Sequence, residues 1–287
     1  KYIHDQTLNL ANKGYTMNEI AETIKLPKEL DQEWSIRGYY GSVSHDSKAV
    51  YQKYLGWYDN NPANLNPLPP TEAGKKYVEY MGGAPAIIKK AKESYAKGEY
   101  RWVAEVMSKV VFADPNNKEA KNLEADALEQ LGYQTENGTW RNNYLMGAYE
   151  LRNGVVANTT SSASPDTITA MTTDMLLDFM GIQLNAEKAA GKKMVLNWEQ
   201  PDTKEKYTIT LENSVLMYRK VDSFTNKADV TMSLPKTSLN NILLKQTTMD
   251  KEISEGRVKI TGDRSKLQEL MGMTDTFNPA FNIVTPK

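Results

Sequence analysis

The spacing of apolar residues changes period once along this chain. Through residues 1–154 they recur every three or four positions, as on one face of a helix; between residues 194 and 234 they alternate, as in half-buried strands. Residues 1–12 read as a helix stopped at Gly14. Thr16 and Glu19 form a capping-box pair, in which a hydroxyl and a carboxylate serve free amides at a helix start; that helix should end before Pro27. A further helix is expected over about 45–57, with Ala49, Val50, Tyr54 and Trp57 near one face. The stretch 60–70 is dense in proline and asparagine and cannot be regular helix. Thr71 is then read as the cap of a helix ending at Gly82-Gly83. In 84–132, Ala91, Gly98, Tyr100, Ala104, Pro115, Ala120 and Ala127 match the spacing of a tetratricopeptide-like helix pair. Small residues let the two helices approach, and Pro115 breaks the turn. Only about one repeat is present, so a helical hairpin serving the core or a dimer is the plainer reading.

Residues 153–165 are small and polar, and read as a linker. Beyond it, Ile168, Met171, Met175 and Phe179 recur at helical spacing and predict a helix over 166–181. Then Met194, Leu196 and Trp198 alternate with Val195, Asn197 and Glu199, and Tyr207, Ile209 and Leu211 with Thr208 and Thr210. Strands at 215–219 and 230–234 follow, with Pro201-Asp202 and Asn213-Ser214 as hairpin turns. A helix near 236–246, a strand at 257–261 and a helix near 264–271 complete the order. The predicted architecture is a helical domain over 1–154, its start assignable to a preceding domain, and an α+β domain over 165–287 built on an antiparallel sheet.

Composition narrows the function without naming it. The net charge is −1, which gives no electrostatic case for nucleic acid or an anionic membrane surface. No run of 18 apolar residues predicts a membrane-spanning helix. There is no cysteine, which excludes disulfides and thiol chemistry, and two histidines, His4 and His45, are too few for a conventional zinc site, so no metal ligand and no cofactor are assigned within the chain. Of 16 tyrosines, 14 precede residue 154, which favours large aromatic contact surfaces and a homodimer formed there.

His45 is the sharpest chemical candidate. It follows Gly41-Ser42-Val43-Ser44 at an expected helix start, where an imidazole can donate a proton or simply cap and pack. His4, beside Asp5, reads as a surface or interface residue. Arg37 offers a bidentate anion contact, but an ion pair with Asp31 or Glu33 is favoured. In the second domain Met175, Phe179, Met194, Trp198, Met217 and Met232 are candidates for lining an apolar tunnel; a methionine stripe serves equally as ordinary core.

The stretch from Trp34 to Pro70, with Gly38-Tyr39-Tyr40-Gly41, His45, Gly56-Trp57-Tyr58 and the Asn/Pro loop, resembles the segment that follows the catalytic domain in alkyl sulfatases of the metallo-β-lactamase superfamily. Those enzymes carry a His-x-His-x-Asp-His zinc motif, which this chain lacks, so it resembles the C-terminal part of such an enzyme. Gly256-Arg257-Val258-Lys259-Ile260-Thr261-Gly262-Asp263, followed by Lys266-Leu267-Gln268-Glu269-Leu270, resembles the sterol-carrier-protein-2-like fold. Together the resemblances imply a zinc-dependent parent that hydrolyses long-chain alkyl sulfates, with a dimerisation domain, an active-site lid and an alkyl-binding domain supplied here. They imply His45 as an auxiliary acid or sulfate contact with Tyr58 or Tyr40 nearby, an N-terminal catalytic domain as partner, and a long-chain alkyl sulfate or fatty alcohol as ligand. A periplasmic or secreted bacterial location is expected over a cytoplasmic one. The alternative is a stand-alone, non-enzymatic module for lipid binding and dimerisation.

Overall fold

The computed structural model describes residues 1–156, 164–224 and 227–287. Most of the expected linker, with an Asn158-Thr159-Thr160 triplet that has the spacing of a glycosylation acceptor, lies outside them. Contacts divide the chain into two units, Lys1–Ala157 with Ala280–Lys287, and Asn158–Pro279.

The first unit is helical. It comprises α1 (Tyr2–Ala11), α2 (Met17–Thr23), α3 (Lys28–Asp31), α4 (Val43–Leu55), α5 (Pro70–Tyr80), α6 (Ala84–Ala96), α7 (Tyr100–Ala113), α8 (Lys118–Gln134) and α9 (Gly138–Asn153). Its main core joins α6 to α9 through Ile87, Ile88, Val103, Met107, Val110, Leu123 and Leu151. Ala120 and Ala127 are fully buried, as the small-residue spacing requires for close helix approach. Gly98, at φ +79°, makes the turn between α6 and α7 that a side chain would strain. A smaller core joins α2 and α4 through Ile20, Ile24 and Tyr51.

Two local expectations are corrected here. The buried side of α4 carries Ser47 and Tyr51, whereas Tyr54 and Trp57 are 51% and 65% exposed. The aromatic residues misled the reading because Ser47, which donates to the Ser44 carbonyl at 3.0 Å, is buried without being apolar. Helix α5 starts at Pro70 rather than after Thr71, because proline is already set at a helical φ and lacks the amide a first turn would leave unpaired.

The second unit holds α10 (Pro165–Ala170), α11 (Thr173–Gln183), β1 (Met194–Gln200), β2 (Glu205–Glu212), β3 (Val215–Lys220), β4 (Val230–Ser233), α12 (Lys236–Leu243), α13 (Met249–Ser254), β5 (Lys259–Gly262) and α14 (Ser265–Gly272). The sheet order is β3-β2-β1-β4-β5. The first three strands form the expected antiparallel meander, and Asn213 and Ser214 both take positive φ in its tight turn. Strand β4 crosses over to pair parallel with β1, so the sheet is mixed. Register places Met194, Leu196, Trp198, Tyr207, Ile209, Leu211, Val230 and Met232 on one face. Leu177, Leu239, Ile253 and Leu270 of the helices pack against it.

The single helix expected over 166–181 is two helices. Thr172 interrupts it, accepting the Met175 amide at its hydroxyl and capping α11. The break turns Leu176 and Leu177 inward in place of the Met175–Phe179 stripe. Helix α13 was not anticipated: it has six residues, too few for a hydrophobic period to register.

Candidate functional site

The N-terminus of α4 is held against the N-terminus of α9, and this contact builds the site around His45. Ser42 caps α4 by accepting the His45 amide at 3.1 Å. Asn137 caps α9 by accepting the Trp140 amide at 2.9 Å. The loop before α4 then runs along the α9 cap. The Tyr39 carbonyl accepts the Gly138 amide at 2.8 Å. The Tyr40 carbonyl accepts both Asn137 Nδ2 and Thr139 Oγ1 at 2.6 Å. Arg37 pairs with Glu136, Nη2 to Oε1 at 2.9 Å. Its expected partners Asp31 and Glu33 are displaced because the fold brings Glu136 across 99 residues of sequence.

These contacts fix the imidazole. Trp140 Nε1 donates to His45 Nδ1 at 3.2 Å, with the rings edge-on at 6.2 Å. An Nδ1 that accepts cannot carry the proton of neutral imidazole, so that proton resides on Nε2. His45 is exposed, and its Nε2–H is available to an external oxygen. With Nδ1 accepting from Trp140, the ring can donate a hydrogen bond from Nε2 to a departing oxyanion.

Tyr40 shares this end of α4, its backbone engaged and its side chain 83% exposed. Tyr58 does not. It lies beyond the C-terminus of α4, half-buried, in a hollow lined also by Thr16, Met17, Asp59 and Asn64. Thirteen helical residues put roughly 18 Å between the two ends. His4 is committed elsewhere, to Tyr54 Oη and Asp5 Oδ1, each at 3.0 Å. Beside the loop lies a cavity of about 580 Å³ bordered by Arg37, Gly38, Gly41, Asp46 and Glu136. A Cβ on Gly41 would stand 3.2 Å from Asp46 Oδ1, so a side chain there would have to push the exposed Asp46 carboxylate aside. Among the described residues no group of three or more His, Cys, Asp or Glu is placed to hold a metal ion.

The six tunnel candidates are not brought onto one wall. Met194 and Trp198 are 2% and 3% exposed in the sheet core, with Trp198 Nε1 donating to the Leu234 carbonyl at 3.2 Å. Met232 packs on the same core. Met175, Phe179 and Met217 are 52%, 43% and 51% exposed. Met217 lies opposite Thr210 on the other face of the sheet. Phe179 meets Phe277 edge-on at 6.4 Å.

The residues that sequence reasoning missed are Glu136, Asn137, Thr139 and Trp140. Asn137-Gly138-Thr139 has the spacing of a glycosylation triplet, which masks the role of its buried Asn137 as a cap. An Asn before a helical run was the available signal; its reach to the loop at 39–45 had none.

Both units have known counterparts. Residues 16–154 match the family model described as alkyl sulfatase dimerisation, and residues 161–286 the model described as alkyl sulfatase C-terminal. The chain belongs to these alkyl sulfatase domain families. It is 55% identical over its full length to a linear primary-alkylsulfatase of Pseudomonas sp, of which it covers 42%. It is 51% identical to the alkyl/aryl-sulfatase BDS1 of Saccharomyces cerevisiae, of which it covers 44%. The solved structure of the stereoselective inverting sec-alkylsulfatase Pisa1 from Pseudomonas sp. superposes with a TM-score of 0.93 at 49% identity, over 99% of this chain and 45% of that one. The chain thus spans less than half the length of these relatives.

Proposed function

We propose that this chain supplies the dimerising helices and an active-site lid to a zinc-dependent hydrolase of long-chain alkyl sulfates, with a chain-binding role for the sheet unit. The observation that carries the reading is His45, exposed at the cap of α4 with Nδ1 occupied by Trp140 and Nε2 free to face a substrate. The match to sulfatase relatives along the whole chain supports the substrate class. Zinc would be held by residues outside this chain, where it would supply the Lewis acidity for ester hydrolysis. His45 Nε2 then meets the sulfate oxygen that gains charge as the ester bond breaks, and Tyr40 flanks it. The alkyl chain has to leave water, at about 0.8 kcal/mol per methylene. Of the six candidates, Met175 and Phe179 present the accessible apolar surface for it on α11.

In the full-length enzyme, His45→Ala lowers turnover by on the order of 10²–10⁴, with zinc content and dimer mass unchanged. Trp140→Phe, which frees Nδ1, changes the pH profile of turnover and preserves the fold. Turnover unaffected by His45→Ala removes the assignment. Chain binding is read separately, by calorimetry of the full enzyme with alcohols of increasing length. Affinity rises with each methylene if the sheet unit binds the chain, and Phe179→Ser flattens the series.

A further inference from the structure

Residues 280–287 return to the helical unit and lie along α9. Glu150 is 9% exposed there, and its Oε1 accepts two successive backbone amides, from Ile283 at 2.8 Å and Val284 at 3.1 Å. One turn earlier on α9, Gly147 leaves room for the Val284 side chain. A Cβ built on Gly147 would lie 3.4 Å from Val284 Cγ1 and 3.2 Å from Leu128 Cδ1. Val284 packs on the main helical core, while Phe281 and Ile283 are 54% and 71% exposed. Asn282 Nδ2 donates to the Pro286 carbonyl at 2.9 Å and folds the segment onto itself. A buried carboxylate that accepts consecutive main-chain amides, beside a hollow sized for one β-branched side chain, is how a groove reads a peptide.

We propose that Glu150, Gly147 and Leu128 form a peptide-docking site whose resident ligand is residues 280–287 of the same chain. The site is distinct from the His45 cluster at the other end of α9. Its consequence follows from the chain path. The backbone leaves α9 at Gly154, whose amide bonds the Glu150 carbonyl at 2.8 Å. The returning segment binds the Glu150 side chain. One residue of α9 therefore meets the backbone twice within the helical unit, where the chain leaves the helix and where residues 280–287 rejoin it.

Hydrogen exchange on the intact chain tests this, because the two amides have no helix or strand to protect them. The Ile283 and Val284 amides exchange at least tenfold slower than those of a free peptide. Glu150→Gln retains most of that protection, since the amide oxygen still accepts. Glu150→Ala and Val284→Asp abolish it, while the exposed neighbour variant Ile283→Asp leaves Val284 protected. Protection within α6 to α8 reports that each variant is folded, and Val284→Asp, outside every helix, keeps the test alive where Glu150→Ala fails to fold. Free-peptide exchange in the wild type overturns the proposal, as does protection that survives both Glu150→Ala and Val284→Asp. Protection that falls on dilution also overturns it, because the segment would then come from a second copy.

Discussion

At the scale of single residues, two buried carboxylates are handled in opposite ways. Glu124 on α8 is 4% exposed, and its Oε2 has no hydrogen-bond partner. Desolvation pushes its pKa up to about 8. Glu252 on α13 is 1% exposed but accepts Arg257 Nε at 2.7 Å, Arg257 Nη2 at 2.6 Å and Ser238 Oγ at 2.7 Å. The Arg257 guanidinium, with the Ser238 hydroxyl, lowers its pKa to about 2. The signs follow from linkage. Glu124 stays neutral in the fold while the unfolded chain ionises near 4.5, so the helical unit loses stability as pH rises from about 4.5 to about 8. Glu124→Leu removes this slope and raises the stability of the helical unit at pH 8 by roughly 1–3 kcal/mol, read by denaturant titration at pH 5 and pH 8. An unchanged slope would show that Glu124 is ionised with water in the native state. His45 belongs to the same scale: its type and place at a helix start were legible, but its tautomer was not, because Trp140 lies 95 residues away in sequence.

At the scale of elements, the Thr16 capping box and the Asn213-Ser214 turn were readable, because their chemistry is local, whereas the caps at Thr172 and Asn137 were not read. Glu19 accepts the Thr16 amide at 2.8 Å as the capping box requires, and Asn213-Ser214 makes its hairpin. Faces were less readable. Ser47 in α4 and Thr173 in α11 are buried polar residues satisfied by particular partners, the latter donating to Gln200 Oε1 at 2.8 Å. A hydrophobic count cannot see such positions. Gly74 makes the point quantitatively. In the middle of an isolated helix, Gly→Ala stabilises by about 0.5–1 kcal/mol. Here the added Cβ would lie 2.7 Å from the Lys109 carbonyl of α7 and 3.1 Å from the Ala113 amide. Gly74→Ala is expected to destabilise the helical unit by about 1–3 kcal/mol in thermal or denaturant melts. Stabilisation instead would mean that α5 and α7 can separate without cost.

At the scale of the whole molecule, the two units should respond to pH in different ranges, the helical one above about 4.5 and the sheet one below it. Glu252 contributes stability above the unfolded value of 4.5, and that contribution is lost as pH falls toward 2. Calorimetric scans from pH 4 to 8 are expected to resolve two transitions, with the helical one moving down as pH rises and the sheet one holding. Two transitions that shift in parallel would contradict this. The sequence by itself determined the helical unit, the meander, the Thr16–Glu19 capping box and the kinship with alkyl sulfatases, because period, turn chemistry and motif are properties of neighbouring residues. It also confined the candidate chemistry to the stretch around His45. Only the tertiary structure decided the rest. It split the six methionine and aromatic candidates between the buried face of the sheet and the surface, because strand register and helix rotation set exposure, not residue type. It separated Tyr58 from His45 by the length of α4. It brought Glu136 to Arg37, Trp140 to His45 and Val284 to Glu150, each across 95 residues or more. Such contacts follow from how packed helices cross, and no local pattern encodes that crossing.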